Sequence, residues 1–210
     1  MLINNSLTDL VLLQSTNIPL DYIDSIQSKR HILLLYEDIH LARLVMFRFL
    51  KNGLLQGERC LYAMDDDPVE IVLKMLSYGI SLSYFQSKQL RVHSIHNTSS
   101  AKEEILENAR REIVKLLSGF DGSYRIVSRV VPNIDTVNGI SAEIDLERQA
   151  HMTFDGFNGS IMCPYDLSRI EETRRAIWLK ELRENHHDVI YIPRSGQAGV
   201  FFQKDIPVFR

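Results

Sequence analysis

At 210 residues, 45% apolar and 24% charged, the chain has the size and composition of one globular domain with a full hydrophobic core. A net charge of −3 gives no reason to expect binding to nucleic acid or an anionic membrane, and no apolar run reaches the roughly 20 residues of a spanning helix. The opening Met1-Leu-Ile-Asn-Asn-Ser lacks a basic stretch followed by an apolar core, so no secretory leader is expected. Cys60 and Cys163, far apart in the chain, fit buried free thiols in a reducing compartment, and a cytoplasmic location is expected.

In chain order, residues 1–30 hold two short helical segments, Leu7 to Gln14 and Pro19 to Ser28. They are expected to form a helical cap or an interface, with residues 31–210 as a single α/β domain. His31-Ile-Leu-Leu-Leu-Tyr36 reads as a strand buried on both faces, ending in Glu37-Asp38. A helix follows over residues 39–52, apolar around most of its circumference, which suits either central burial or an oligomer interface. Glu58 to Met64 is the second strand. Asp67 is a candidate N-cap with Pro68 in the first helical turn, Val69, Val72, Leu73 and Leu76 as the inward stripe, and Gly79 as the stop.

A short helical piece near 81–87 leads to a third strand, Leu90 to Ile95. Ala101 to Ser118 is the clearest amphipathic helix, with Ile105, Leu106, Ala109, Ile113, Leu116 and Leu117 on one stripe. Tyr124 to Val131 is a fourth strand, 137–152 a helix, and Gly159 to Tyr165 a fifth strand. A helix from Ser168 to about Asn185 turns Leu167, Ile170, Ile177, Trp178 and Leu182 inward. Asp188 to Pro193 is a sixth strand, and Val200-Phe-Phe-Gln an antiparallel edge. This alternation predicts a three-layer α/β/α fold around a mostly parallel sheet. Ligands of such sheets bind beyond the carboxyl ends of the strands, which here carry Tyr36, Glu37, Asp65, Tyr165 and Asp166.

Motif absences narrow the chemistry. The chain has no G-x-x-x-x-G-K-[ST], no G-x-G-x-x-G, no G-x-S-x-G, no C-x-x-C and no H-E-x-x-H. A metal site built from His31, Cys60, Cys163 and His187 on separate elements is conceivable, but buried structural cysteines and hydrogen-bonded histidines are the commoner outcome. No metal and no cofactor are expected. Asp65-Asp66-Asp67 reads as helix capping and a solvated turn rather than a magnesium site.

His31-Ile-Leu-Leu-Leu-Tyr36-Glu37, Gly57-Glu58-Arg59-Cys60-Leu61-Tyr62 and Asp65-Asp66-Asp67-Pro68 resemble the opening of the MEDS domain, a sensory family of methanogens and methylotrophs. The likeness continues through Gly79-Ile80, Leu90-Arg91-Val92, Tyr124-Arg125-Ile126-Val127, Cys163-Pro164-Tyr165-Asp166 and His187-Asp188-Val189-Ile190. It covers roughly residues 29–195. Arg129, Leu146 and Asp188 depart from the family pattern. The resemblance implies a RecA- and KaiC-like fold without a phosphate loop, a role in sensing small hydrocarbon derivatives, and His31 as a ligand contact.

The expected function is therefore a non-enzymatic sensory or regulatory domain that binds a small molecule and signals through a separate regulatory protein. The expected ligand contacts are His31, Tyr36, Glu37, Asp65, Cys163, Tyr165, Asp166 and His187. Two further readings are a degenerate ATPase-like scaffold and a hydrolase with Cys163 as nucleophile and His31 or His187 as base beside Asp166. Side-chain alternation puts His31 and Tyr36 on opposite faces of their strand, about 17 Å apart, so one compact ligand cannot touch both. That geometry favours Tyr36 for the ligand and a structural role for His31. The broadly apolar 39–52 helix and the amphipathic N-terminal pieces raise the expectation of a homodimer.

Overall fold

The computed structural model describes residues 18–195 and 197–202; the expected helix from Leu7 to Gln14 and the chain end at 203–210 lie outside them. Helix α1 (Ile18–Ser25) precedes β1 (His31–Tyr36), α2 (Ile39–Leu55), β2 (Arg59–Met64), α3 (Pro68–Ser77), α4 (Leu82–Gln86) and β3 (Leu90–Ser94). Then come α5 (Lys102–Leu117), β4 (Tyr124–Ser128), α6 (Val137–Met152), β5 (Gly159–Asp166), α7 (Arg175–Glu184), β6 (Asp188–Ile192) and β7 (Gly199–Phe202). The seven strands form one sheet in the order β3-β2-β4-β5-β1-β6-β7, parallel except for the β6–β7 edge pair. This is the expected three-layer α/β/α architecture with a mostly parallel sheet.

Strand pleating sorts the core into two halves. Ile32, Leu34 and Tyr36 face α1 and α2, together with Tyr62 and Met64 of β2. Leu33 faces the opposite layer with Cys163 and Tyr165 of β5 and Ile140 and Ile144 of α6. In register, Leu33 sits opposite Cys163 and Leu35 opposite Tyr165, so these side chains share a face. Of the two readings of the broadly apolar helix, burial within the chain is what is seen. Val45, Met46, Phe47, Phe49 and Leu50 of α2 are all buried against α1 and the sheet.

Three local expectations need correction. The inward face of α3 is Ile71 and Met75, while Val69 and Leu73 are 68% and 61% exposed. Two apolar stripes compete on this helix, and its position near the β3 edge leaves one uncovered. The helix expected from Ser168 is split: Leu167–Arg169 is a 3-10 turn, and α7 begins only at Arg175. Between them the Glu171 carboxylate accepts from the backbone N–H of Thr173 and Arg174 and holds these residues in a turn ahead of the helix. Ile177 consequently points outward, whereas Ile170, Trp178 and Leu182 are buried as expected.

Candidate functional site

The face of the sheet under α5, α6 and α7 holds a group of buried polar side chains in an otherwise apolar half-core. His31 opens β1, Cys163 lies in the middle of β5, Glu147 hangs from the third turn of α6, and His186 ends the turn before β6. Both imidazoles are fully buried. His31 Nε2 lies 3.1 Å from Glu147 Oε2 and 3.4 Å from Cys163 Sγ. Cys163 Sγ lies 3.5 Å from the same Glu147 oxygen, and His186 Nε2 lies 3.4 Å from it.

A second carboxylate stands behind the first. The Tyr165 hydroxyl bridges Glu147 Oε1 and Glu143 Oε1, the latter at 2.9 Å. A hydroxyl has one proton to give, so one of the two carboxyl groups must supply the other. Burial and the neighbouring Glu147 charge push Glu143 up, so of the two carboxyls Glu143 is the one that favours its proton. Burial alone would raise Glu147, but His186, His31 and the Tyr165 hydroxyl outweigh it and hold this carboxyl low. Burial and the proximity of His31 push His186 down. Burial and Glu147 push the Cys163 thiol well up. With no ion bound, that environment favours the thiol over the thiolate.

An apolar cavity of about 90 Å³ opens beside this group, between the sheet and helices α5 and α6. Leucine, isoleucine, valine, alanine and phenylalanine side chains form most of its wall, and the polar lining is His31, Ser128, Glu143, Glu147 and Cys163. Glu143 Oε2 is buried and has no hydrogen-bond partner.

Seven of the eight residues expected at the site divide between two places, and His187 stands apart. His31, Cys163 and Tyr165 meet in the buried group. Tyr36, Glu37, Asp65 and Asp166 sit at the carboxyl end of the sheet, away from the cavity lining. There Glu37 accepts from the backbone N–H of Arg194, Asp166 caps the turn at Ser168, and Asp65 pairs with Arg129 and Arg169. Tyr36 is 4% exposed and packs into the α2-side core. His187 is only half-buried; its Nδ1 accepts from the backbone N–H of His31, which fixes the start of β1. Cys60 lies on the other face of the sheet, its thiol directed at Leu50 O. The conceivable set of His31, Cys60, Cys163 and His187 is therefore not brought together.

Glu143, Glu147 and His186 are the residues that sequence reasoning passed over. A signal existed for the glutamates: they fall four apart on the stripe of α6 that also carries Ile140 and Ile144, where a charge is out of place.

Fold and site together define a RecA-type α/β sandwich with a buried His/Glu/Cys/His group beside an apolar cavity. The model of the MEDS family (MEthanogen/methylotroph, DcmR Sensory domain) matches residues 30–187, a span that contains all four of those residues, and the chain belongs to this family. A sensory or regulatory role accompanies that membership. Among solved structures the chain is similar to the KaiC-like protein PH0186 from the hyperthermophilic archaeon Pyrococcus horikoshii OT3. Their identity is 11% over 83% of this chain and 78% of that one, with a TM-score of 0.59. It is also similar to PH0250 from the same organism, at 12% identity over 91% and 94% of the two chains, with a TM-score of 0.57. At such identities the likeness is one of fold alone. No curated protein matches the sequence. Among the described residues, no helix is long and apolar enough to cross a membrane.

Proposed function

We propose that this chain is a small-molecule sensor whose ligand enters the cavity between the sheet and helices α5 and α6. The observation that carries this reading is the cavity itself: an apolar chamber with only five polar residues in its lining. Its volume of about 90 Å³ sets the ligand's size. A cavity of about 150 Å³ admits benzene, so the ligand here is smaller, a hydrocarbon of a few carbon atoms with one polar group. That group would meet the unpartnered oxygen of Glu143, and the apolar body would lie against Leu61, Ile126 and Ile161. Filling the chamber would brace α5 and α6 against the sheet, and a separate regulatory protein would read the change.

The test is a thermal-shift and calorimetric titration with short alcohols, amines and halogenated one- to three-carbon compounds. A saturable rise in melting temperature is expected for at least one of them. Ala150→Phe, which projects a ring into the cavity, should abolish that rise while leaving the fold intact by circular dichroism. A panel that produces no saturable shift, or a shift that survives Ala150→Phe, would overturn the reading.

A further inference from the structure

We propose that His31, Glu147, Cys163 and His186 form a Zn2+ site. Each offers one donor atom, and the four atoms lie within 4.8 Å of one another. With metal–nitrogen and metal–oxygen bonds of about 2.0–2.1 Å and a metal–sulfur bond of about 2.3 Å, tetrahedral geometry separates donors by roughly 3.3–3.6 Å. Four of the six edges measure 3.1, 3.4, 3.5 and 3.4 Å. Those four edges are thus close to tetrahedral spacing, and the two that join His186 to His31 and Cys163 are no longer than 4.8 Å.

Hydrogen bonding by itself would produce similar distances, and His186 is what separates the two cases. Its Nδ1 lies 2.6 Å from Leu182 O, and its Nε2 lies 3.4 Å from Glu147 Oε2 without a hydrogen-bond partner. A neutral imidazole has one N–H. If Nδ1 carries it, the Nε2 lone pair faces a carboxylate oxygen; if Nε2 carries it, the Nδ1 lone pair faces a carbonyl at hydrogen-bond distance. Either neutral tautomer leaves two lone pairs opposed in a fully buried place, and an imidazolium would bury a charge with its Nε2–H unbonded; each arrangement is costly. A cation among the four donors resolves it. Nδ1–H then donates to Leu182 O, and Nε2 coordinates, as metal-bound histidines usually do.

Charge and donor chemistry agree. Zn2+ with one thiolate and one carboxylate sums to zero, which a buried pocket tolerates far better than a lone carboxylate. On binding, Cys163 gives up its thiol proton to solvent. Two imidazoles, one thiolate and one carboxylate suit zinc rather than magnesium or calcium, which prefer all-oxygen shells. The Tyr165 hydroxyl holds the remaining oxygen of Glu147. The four donors come from β1, α6, β5 and the turn before β6, so the ion would tie three strands to the helix that walls the cavity. This inference stands apart from the cavity ligand, and its failure would leave that reading in place.

The experiment measures metal in the whole chain as purified and after removal with a chelator and reloading with Co2+. About one zinc per chain is expected, and cobalt should give the strong visible bands of a tetrahedral centre with a near-ultraviolet thiolate band. Cys163→Ser should lose the thiolate band, and His186→Asn should weaken binding by roughly tenfold or more. Cys60→Ser, with its thiol on the other face of the sheet, should keep the full spectrum. Because the wild-type and Cys60→Ser spectra need no disruptive substitution, the test survives misfolding of the other variants. A wild-type chain with neither stoichiometric zinc nor a cobalt–thiolate band would overturn the proposal. So would a band lost in Cys60→Ser and kept in Cys163→Ser, or unchanged binding in His186→Asn.

Discussion

The indole N–H of Trp178 donates to Oε2 of Glu171 over 3.0 Å, linking the first turn of α7 to the carboxylate that holds the turn before it. The hydroxyl and backbone N–H of Thr173 and the backbone N–H of Arg174 also donate to this carboxylate. The Thr173 hydroxyl, the Trp178 indole and these backbone groups lower Glu171 from 4.5 to about 2. A carboxyl lowered in the folded state stabilises it fully above the ordinary value and loses that contribution as pH falls through the lowered one. Stability should therefore decline between pH 4.5 and about 2. Trp178, the only tryptophan, should report the change in its fluorescence over the same window. Glu171→Gln should flatten this part of the profile. A variant whose fluorescence still titrates there would refute the assignment.

The three consecutive aspartates after β2 do three different jobs. Asp65 accepts from Arg129 at 2.6 Å and Arg169 at 2.9 Å; Asp66 accepts from the Tyr62 hydroxyl at 2.6 Å and Arg43 at 2.9 Å; Asp67 caps α3 through the Glu70 N–H. Arg129 is only 1% exposed, and its Nε and Nη1 have no hydrogen-bond partner. Asp65→Ala would strand that charge, at a cost of about 3–5 kcal/mol. Asp67→Ala should cost only about 1 kcal/mol, the worth of an N-cap. Urea denaturation of the two variants should rank them in that order, and equal losses would contradict it.

Gly139 sits in the first turn of α6, where a Cβ would stand 1.8 Å from the carbonyl oxygen of Asn133. Replacing a helical glycine by alanine ordinarily gains about 1 kcal/mol. Here the clash is with backbone, so Gly139→Ala should instead destabilise by about 1–3 kcal/mol. Gly156→Ala, with nothing within 4 Å of the added carbon, should change stability by no more than about 0.5 kcal/mol. Thermal melts of both variants decide the matter.

The amino end of α2, where a nucleotide phosphate would sit in a phosphate-loop protein, already holds a carboxylate. Asp38 Oδ1 accepts from the backbone N–H of His40 at 2.8 Å and of Leu41 at 3.2 Å. With these donors engaged and Glu37 beside them, a polyphosphate meets negative charge rather than free N–H groups. Calorimetric titration with MgATP should show no binding in the micromolar range, and micromolar affinity would refute the argument.

Residue order alone determined the layers. The apolar run from Ile32 to Tyr36 could only be a strand covered on both sides, and its alternation put His31 and Leu33 on one face and Tyr36 on the other, as found. The Asp67–Pro68 start of α3 and the positive-φ Gly79 just beyond its end were equally legible, because caps and left-handed turns are chemistry within a few residues. The inward face of α3 and the start of α7 were not, since each involved a neighbour outside the helix: the sheet edge for one, the turn held by Glu171 for the other.

The site was legible only in part, for a similar reason. His31, Cys163 and Tyr165 could be named from their strands, but the expected neighbours Tyr36, Glu37, Asp65 and Asp166 answer to the general rule for parallel sheets. In this chain those carboxylates are taken up by Arg129, Arg169, Arg194 N–H and a helical turn. Glu147 and His186 reach Cys163 across 16 and 23 positions of sequence. No local spacing encodes such a meeting. It arises because the order β5-β1-β6 sets three strands side by side and lays α6 over them, and only that tertiary arrangement decides which buried polar groups face one another.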